Sequence, residues 1–210
     1  PIECELQDNE EELQRRFFQM LRMTCFVLFP LMMGLAALAE PVVRLLLTDK
    51  WIETVPLIRI LCFAWIWWPA SNMSWQLLNA KHRSDYCLKA EIIKKVIAIS
   101  ILVFSLFWGI KVVCIGMLLY YVADVYVITV FSARVLPGVT FASEMKSMLP
   151  ILAYAAVMGT GVYLLDHMIS SDAVSLAAGT AAGIVLYMAV TLLTGSREAW
   201  YLLEMIKKRR

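Results

Sequence analysis

The chain has few of the residues that catalysis or nucleic-acid binding requires. Only 17% of its 210 residues are charged, and its two histidines are His82 and His167. Soluble domains carry about 25% charged residues. The net charge of +2 is too small to indicate a nucleic-acid partner. A membrane-embedded glycosyl- or phosphotransferase would need clustered acids at an interface, usually with a metal, and the chain has no DxD or DDxxD motif.

Cysteine patterns and a leader sequence are also absent. The five cysteines are scattered and form no CxxC or Cys/His spacing, so they predict neither a metal site nor a disulfide framework but reduced packing residues. The chain opens on Pro1 and a polar, acidic stretch rather than on a signal peptide. We therefore expect it to be the C-terminal part of a longer protein.

Long apolar segments, by contrast, occupy most of the chain. Hydrophobic residues make up 61% of it, and the mean hydropathy is +0.72. A helix needs about 20 apolar residues to cross a bilayer. The sequence predicts an all-α, polytopic transmembrane bundle of about six spanning helices, at residues 17–39, 55–78, 92–110, 112–132, 148–165 and 173–193.

Proline and glycine predict where these helices break. Pro30 and Gly34 interrupt the first span, and Glu40-Pro41 marks its end because the residue before proline avoids the α region. Pro69 should bend the second span, and Pro150 suits the start of the fifth.

The remaining segments complete the domain outline. Residues 1–16 are predicted to form a cytoplasmic loop, 17–135 four transmembrane helices, 136–194 two further helices, and 195–210 a basic cytoplasmic tail. The basic segment 81–95 suits an interfacial helix that runs into the next span, with a solvated or a lipid-contacting face. The pair Gly179 and Gly183 predicts close helix packing, within the chain or across a dimer.

Basic residues predict the orientation. Placing Pro1 in the cytoplasm puts 15 of the 19 Lys and Arg residues on the cytoplasmic side and 4 on the other. The positive-inside rule favours this arrangement, with both ends cytoplasmic and outer loops at about 40–54, 109–111 and 166–172.

Five stretches in order resemble one family. They are Pro1–Asp8 (PIECELQD), Phe29–Trp51 (FPLMMGLAALAEPVVRLLLTDKW), Val55–Leu61 (VPLIRIL), Leu78–Asp85 (LNAKHRSD) and Lys89–Lys95 (KAEIIKK). Together they resemble the polysaccharide flippases of the MOP exporter superfamily, which include O-antigen (Wzx-type) and colanic-acid-type flippases. The resemblance covers about residues 1–135. The chain departs from the family pattern at Thr48 and His82, where glycine is usual.

The resemblance implies a fold and a function. It implies two helical lobes around a polar cavity in the bacterial inner membrane, working by alternating access on a polyprenyl-pyrophosphate-linked oligosaccharide. This chain would be most of the C-terminal lobe, with the N-terminal lobe of the same protein and membrane lipids as its partners. The resemblance implies no catalytic activity, no nucleic-acid partner, no metal and no cofactor. Na⁺ or H⁺ could couple transport. A drug exporter of the same superfamily and a membrane-embedded transferase are the alternatives.

Six residues are candidates for the substrate path. Arginine can bind a pyrophosphate in a bidentate manner, and aromatic faces can contact sugar rings. The candidates are Arg22, Arg44, Arg59, Trp65, Trp68 and Asp124. Each arginine has a plainer interpretation as an anchor or surface residue. Asp124 lies mid-span, where a charge is costly, so we expect it to face protein or water, as an ion site, an arginine partner or a structural hydrogen-bonding group.

The charge distribution predicts a labelling pattern. In intact cells, a membrane-impermeant thiol reagent should modify a cysteine introduced at Asp172 and should not reach one introduced at Arg209. The reverse pattern would contradict the predicted orientation.

Overall fold

The computed structural model describes residues 10–196 and Glu198. The stretch Pro1–Asp8 and most of the basic tail lie outside the described residues. Among those described, the secondary structure is helical and contains no strand, which confirms the all-α prediction. The α-helices are α1 Glu10–Ala37, α2 Ala39–Leu47, α3 Val55–Trp65, α4 Trp68–Ala80, α5 Ser84–Leu106, α6 Ile110–Val135, α7 Phe141–Met168 and α8 Asp172–Leu193, with a 3₁₀ helix at Asp49–Thr54.

Five helical stretches of the described chain are long and apolar enough to cross a membrane, one fewer than the six predicted. They are α1, the stretch Asp49–Ala80 that includes α3 and α4, α6, α7 and α8. The predicted third span falls in α5, which has the length but carries at least four charged residues in every 18-residue window. Because α5 begins at Ser84, the basic segment does run into the third segment as one continuous helix.

The first break does not fall where proline predicted it. Pro30 lies inside α1, which continues to Ala37. The chain breaks instead at Leu38, whose N–H donates to the Gly34 carbonyl over 2.9 Å. Pro41 then lies in the first turn of α2, where a missing N–H leaves no hydrogen bond unmade. The predicted end at Glu40-Pro41 was therefore about three residues late.

The other two prolines give one correct prediction and one wrong prediction. Near Pro69 the second span is broken, because α3 ends at Trp65 and α4 begins at Trp68. Pro150, however, lies inside α7 rather than at its start. The helix begins earlier because Thr140 and Ser143 bond reciprocally, with Thr140 N–H to Ser143 Oγ at 2.8 Å and Ser143 N–H to Thr140 Oγ1 at 3.3 Å. Helix α1 is also longer than predicted, because it includes Glu10, which lies inside the predicted loop 1–16.

The chain divides into two compact units. The first unit comprises the chain up to Thr24 together with Phe63–Leu149, and the second comprises Cys25–Cys62 and the chain from Pro150 onward. In the first unit, α4, α5 and α6 enclose an apolar core at Leu78, Cys87, Ala90, Ile128 and Phe131.

The second unit is held by close helix contacts. Tyr187 of α8 donates its hydroxyl to the Phe26 carbonyl of α1 over 2.8 Å. A methyl group added at Gly179 would come within 2.7 Å of Leu38 Cδ2, and one at Gly183 within 3.2 Å of Val162 Cγ2. The two glycines thus serve packing within the unit, the first of the two interpretations of this pair.

Much apolar side-chain surface remains exposed, as expected of a protein solvated by lipid. Ile99, Val103, Phe107, Val157 and Val185 are examples. An aqueous domain of this size rarely exposes apolar patches on this scale.

Two turns hold residues other than glycine in a left-handed backbone. Thr48 has φ +69° and ψ 168°, a region that is essentially restricted to glycine. His82 has φ +54° and follows α4, where its N–H bonds the Asn79 carbonyl and that of Arg83 bonds the Leu78 carbonyl. This is the Schellman arrangement. Both are the positions at which the related family usually has glycine.

Replacing these residues by glycine should stabilise the fold. Left-handed geometry costs a residue with a Cβ about 1–2 kcal/mol, partly offset by the greater freedom of glycine in the unfolded chain. We expect Thr48→Gly to raise the melting temperature of the purified full-length protein by about 2–4 °C, and His82→Gly to raise it less because histidine tolerates this region better.

The control is Gly195, which has φ +65° and ends α8 in the same hydrogen-bonding pattern. Gly195→Ala should lower the melting temperature. A lower melting temperature for Thr48→Gly would show that the turn is not strained.

Candidate functional site

A buried ion pair joins two helices of the first unit. Asp124 of α6 and Lys94 of α5 are each 6% exposed, and the Lys94 Nζ lies 2.7 Å from Asp124 Oδ1. Ser71 of α4 donates its hydroxyl to Asp124 Oδ2. Asp124 thus faces protein, and its cationic partner is a lysine rather than the arginine considered from sequence.

Lys94 is shared between two carboxylates. Its Nζ lies 2.9 Å from Glu91 Oε1 and 5.5 Å from the centre of the Trp75 ring. With all groups ionised, Glu91, Lys94 and Asp124 carry a formal charge of −1. We call these residues and Ser71 the ion-pair cluster. It provides a cation whose carboxylate partners could be exchanged for another anion.

The sequence placed Lys94 in the interfacial segment 81–95, but the structure buries its side chain. Lys89 and Lys95 are exposed, as an interfacial segment requires, but Lys94 is buried. The spacing of residues along the sequence already indicated that Lys94 is buried. Cys87, Ala90 and Lys94 are three and four residues apart, which places them on one face of α5, and this face packs into the core.

A second buried carboxyl was not identified from sequence. Glu144 of α7 is 0% exposed. Ser74 of α4 donates its hydroxyl to Glu144 Oε1 over 2.7 Å, and Thr129 of α6 donates to Oε2 over 2.8 Å. Ser132 of α6 donates to the Ser74 carbonyl over 3.3 Å. We call these four residues the hydroxyl-bound carboxyl cluster.

Glu144 escaped notice because the fifth span was predicted to begin only at Met148. With α7 beginning at Phe141, Glu144 falls in its first turn and becomes part of the buried bundle. The available signal was Thr140 with Ser143 three residues later, a helix-start pattern upstream of the proline.

Two of the predicted tryptophans form an aromatic patch with tyrosines of α6. Trp65 and Trp68 are 42% and 38% exposed, with ring centres 6.3 Å apart, and Trp65 lies 5.9 Å from Tyr121. Tyr121 precedes Asp124 by three residues and so shares its face of α6. The structure therefore brings Trp65, Trp68 and Asp124 into one region of the first unit.

The three arginines are distributed over the two units. Arg22 is half-buried in α1 and belongs to the first unit. In the second unit, Arg44 is exposed and bonded to Glu40 Oε1 at 2.8 Å. Arg59 donates to the Ala36 carbonyl over 3.2 Å and lies 5.4 Å from the centre of the Tyr163 ring. Arg44 fits its plainer interpretation as a surface residue, and Arg59 is engaged in packing.

The second unit contains an apolar cleft of about 480 Å³. Its lining is almost wholly hydrocarbon, from α1, α2, α7 and α8, and includes Pro30, Gly34, Leu38, Met158, Gly179 and Gly183. This surface suits an alkyl or acyl chain and offers nothing to hold a charged group.

The described residues contain no group of three or more His, Cys, Asp or Glu side chains that could hold a metal ion. The polar chemistry of the first unit is therefore that of carboxyls, hydroxyls and one buried ammonium, set among aromatic rings. Such groups can bind ions and polar ligands within a membrane.

Comparison with known proteins identifies the class. A family model described as "Polysaccharide biosynthesis protein" matches residues 1–56. A Klebsiella pneumoniae protein named "Uncharacterized membrane protein in cps region" is 32% identical over 109 residues, covering 52% of this chain and 22% of that protein.

Two further relatives carry more specific names. The "Lipopolysaccharide biosynthesis protein WzxC" of Escherichia coli K12 is 29% identical over 94 residues, covering 45% of this chain and 19% of WzxC. The "Teichuronic acid biosynthesis protein TuaB" of Bacillus subtilis 168 is 27% identical over 85 residues, covering 40% of this chain and 18% of TuaB. No solved structure matches the chain.

The fold and these relatives together define a multi-pass, all-helical membrane protein that is similar to proteins of polysaccharide biosynthesis. More particularly, the resemblance to the MOP-type polysaccharide flippases is confirmed. The aligned segments span about one fifth of the length of these curated relatives.

The ion-pair cluster makes a testable prediction about stability. Removing one partner of a buried pair leaves an uncompensated charge and costs about 3–5 kcal/mol. Lys94→Met should therefore lower the melting temperature of the purified full-length protein far more than Lys95→Met, the matched change at its exposed neighbour. Adding Asp124→Asn to Lys94→Met should recover part of the loss, because the more deeply buried of the two carboxylate partners is then neutral.

A double-mutant cycle measures this coupling. Equal effects of Lys94→Met and Lys95→Met, or strictly additive effects of Lys94→Met and Asp124→Asn, would show that the pair contributes nothing to the fold.

Proposed function

We propose that this chain is part of a flippase that moves a polyprenyl-pyrophosphate-linked oligosaccharide across the bacterial inner membrane by alternating access. The observation that carries the proposal is the similarity to polysaccharide-biosynthesis membrane proteins, found in a chain whose helices are long and apolar enough to span a bilayer. The chain would act within a larger protein, as most of its C-terminal lobe and together with an N-terminal lobe.

The physical task fits such a fold. A glycan headgroup cannot cross about 30 Å of hydrocarbon unaided, so it needs a polar path through protein while its prenyl chain stays in lipid. In this proposal α5 also crosses the membrane despite its charges, which gives an even number of spans. Both ends of the chain are then cytoplasmic, in accordance with the distribution of basic residues.

The first unit offers the chemistry for part of that path. The exposed faces of Trp65 and Trp68 suit contact with sugar rings, and Asp124 lies on the helix face next to them. In this proposal Lys94, the partner of Asp124, is the cation of this region, and the pyrophosphate competes with Asp124 and Glu91 for it. Arg22 and Arg59 stay as candidates elsewhere on the path.

The experiment is deletion of the gene in its host, followed by complementation. The deletion should abolish surface glycan and leave lipid-linked oligosaccharide in the cytoplasmic leaflet, and the wild-type gene should restore export. Unchanged surface glycan, together with increased sensitivity to unrelated toxic compounds, would instead identify a drug exporter.

Variants then test the aromatic patch and Asp124 in the full-length protein. Asp124→Ala should insert normally but lower glycan export. A hydrogen-bonding aspartate tolerates Asn, whereas one that must balance Lys94 does not, so we expect Asp124→Asn to be defective too. Trp65→Ala should lower export more than Trp108→Ala, the same substitution at an exposed residue outside the patch. Wild-type export from both Asp124 variants would remove that residue from the mechanism.

A further inference from the structure

Glu144 differs from Asp124, the other buried carboxyl described in the first unit, because no cation is bonded to it. Asp124 is balanced by Lys94 at 2.7 Å. The hydrogen bonds to the Glu144 carboxyl within the described chain come only from the neutral hydroxyls of Ser74 and Thr129. With 0% of its surface exposed, Glu144 is also out of contact with bulk water.

Within the described chain, the helices around Glu144 bring no counter-charge into contact with it. α4 contains no charged or titratable residue. On α6, Asp124 is already paired, and Arg134 is exposed and lies 5.3 Å from the centre of the Phe131 ring. Tyr126 of α6 packs on Phe141, with ring centres 5.9 Å apart. On α7 itself, Lys146 is exposed.

The first part of α1 also belongs to this unit, and its Gln14 lies against Gly138 in the loop before α7. Among its charged residues, Glu12 accepts hydrogen bonds from Arg15 and Arg16, both at 2.8 Å. No contact of these residues with Glu144 is found in the described chain.

Three effects act on the charge state of this carboxyl. Burial without a cation strongly disfavours the ionised form. Hydroxyl donors favour it, as does the positive end of α7, although the helix-end effect falls off within the first turn. Since neutral hydroxyls only partly replace hydration, burial is the largest of these effects, and it favours the neutral acid.

We propose that Glu144 is a proton-binding site whose carboxyl carries a proton at neutral pH while α4, α6 and α7 are packed around it. The proton comes from solvent and returns there when these helices separate and admit water. The hydroxyls suit both states, since each can either donate to the carboxylate or rotate and accept from the acid at the same distance. The direct distances of 2.7 and 2.8 Å leave no gap for a metal cation between the carboxyl and either hydroxyl.

Infrared difference spectroscopy of the purified full-length protein at neutral pH tests the proposal. Wild type minus Glu144→Gln should show the carbonyl band of a protonated carboxylic acid, with a downshift in D₂O. The matched control, Glu53→Gln at an exposed position, should show only carboxylate bands. Carboxylate bands in the Glu144→Gln difference spectrum would overturn the proposal.

A second variant keeps the test decisive if Glu144→Gln does not accumulate. Thr129→Val is nearly isosteric and removes one hydroxyl from the carboxyl, so it should shift the frequency of the same acid band. An acid band that does not move would belong to another residue, and the proposal would fail.

Melting temperature against pH gives an independent measure. Ionisation is free in the unfolded chain but costly in the folded one, so raising the pH favours unfolding of the wild type. Between about pH 6 and about pH 9 the wild type should therefore lose at least about 2 °C relative to Glu144→Gln, while Glu53→Gln follows the wild type. Parallel curves for all three proteins would contradict a proton at Glu144.

Melting temperatures measured in sodium chloride and in choline chloride distinguish a proton site from a sodium site. Stabilisation of the wild type by sodium, lost in Glu144→Gln, would identify a sodium site and overturn the proposal. None of these measurements uses transport, so the inference stands or falls separately from the proposed function.

Discussion

The contact between Asp124 and Lys94 is the interaction on which the first unit depends. A lone carboxylate in the middle of an apolar span costs about 2.5 kcal/mol or more. The ammonium group at 2.7 Å offsets that cost, and it can do so only because α5 lies against α6 with Lys94 turned inward. The charges in the first half of α5, which make it the least membrane-like of the long helices, are thus partly an internal requirement of the bundle.

The two buried carboxyls of the first unit show different solutions to one physical problem. Asp124 keeps a charge that is balanced by an ammonium, whereas Glu144 is surrounded by hydroxyls alone. The charge of a balanced pair stays compensated as long as the two helices that carry it stay together. A carboxyl held by hydroxyls responds to any change that admits water. Two kinds of electrostatic behaviour therefore exist within one helical unit.

Hydropathy was enough to predict the all-α fold and the approximate positions of the helices, because the bilayer leaves few alternatives to the helix. It was not enough for the helix ends. The rule that proline terminates helices failed at Pro30 and Pro150, both of which lie inside helices, because the apolar packing and capping around them outweigh one lost hydrogen bond.

The candidate site was predictable only in part, for the same physical reason. Asp124 could be found because it interrupts an apolar run. Lys94 lay among other basic residues, and only its helical phase with Cys87 and Ala90 marked it as buried. Glu144 depended on a helix start that hydropathy placed too late. The register between packed helices decides which side chains meet. That register could not be predicted from this sequence alone.

Helix α4 has a mechanical consequence for this unit. It is 13 residues long, uncharged, and bounded by the break before Trp68 and the turn at His82. Ser71 and Ser74 are three positions apart, about 4.5 Å along the axis and on nearly the same side of the helix. Each holds a different buried carboxyl. A rigid rotation or slide of α4 must therefore disturb both hydrogen bonds at once. The surroundings of Asp124 and Glu144 are thus coupled through the position of this short helix.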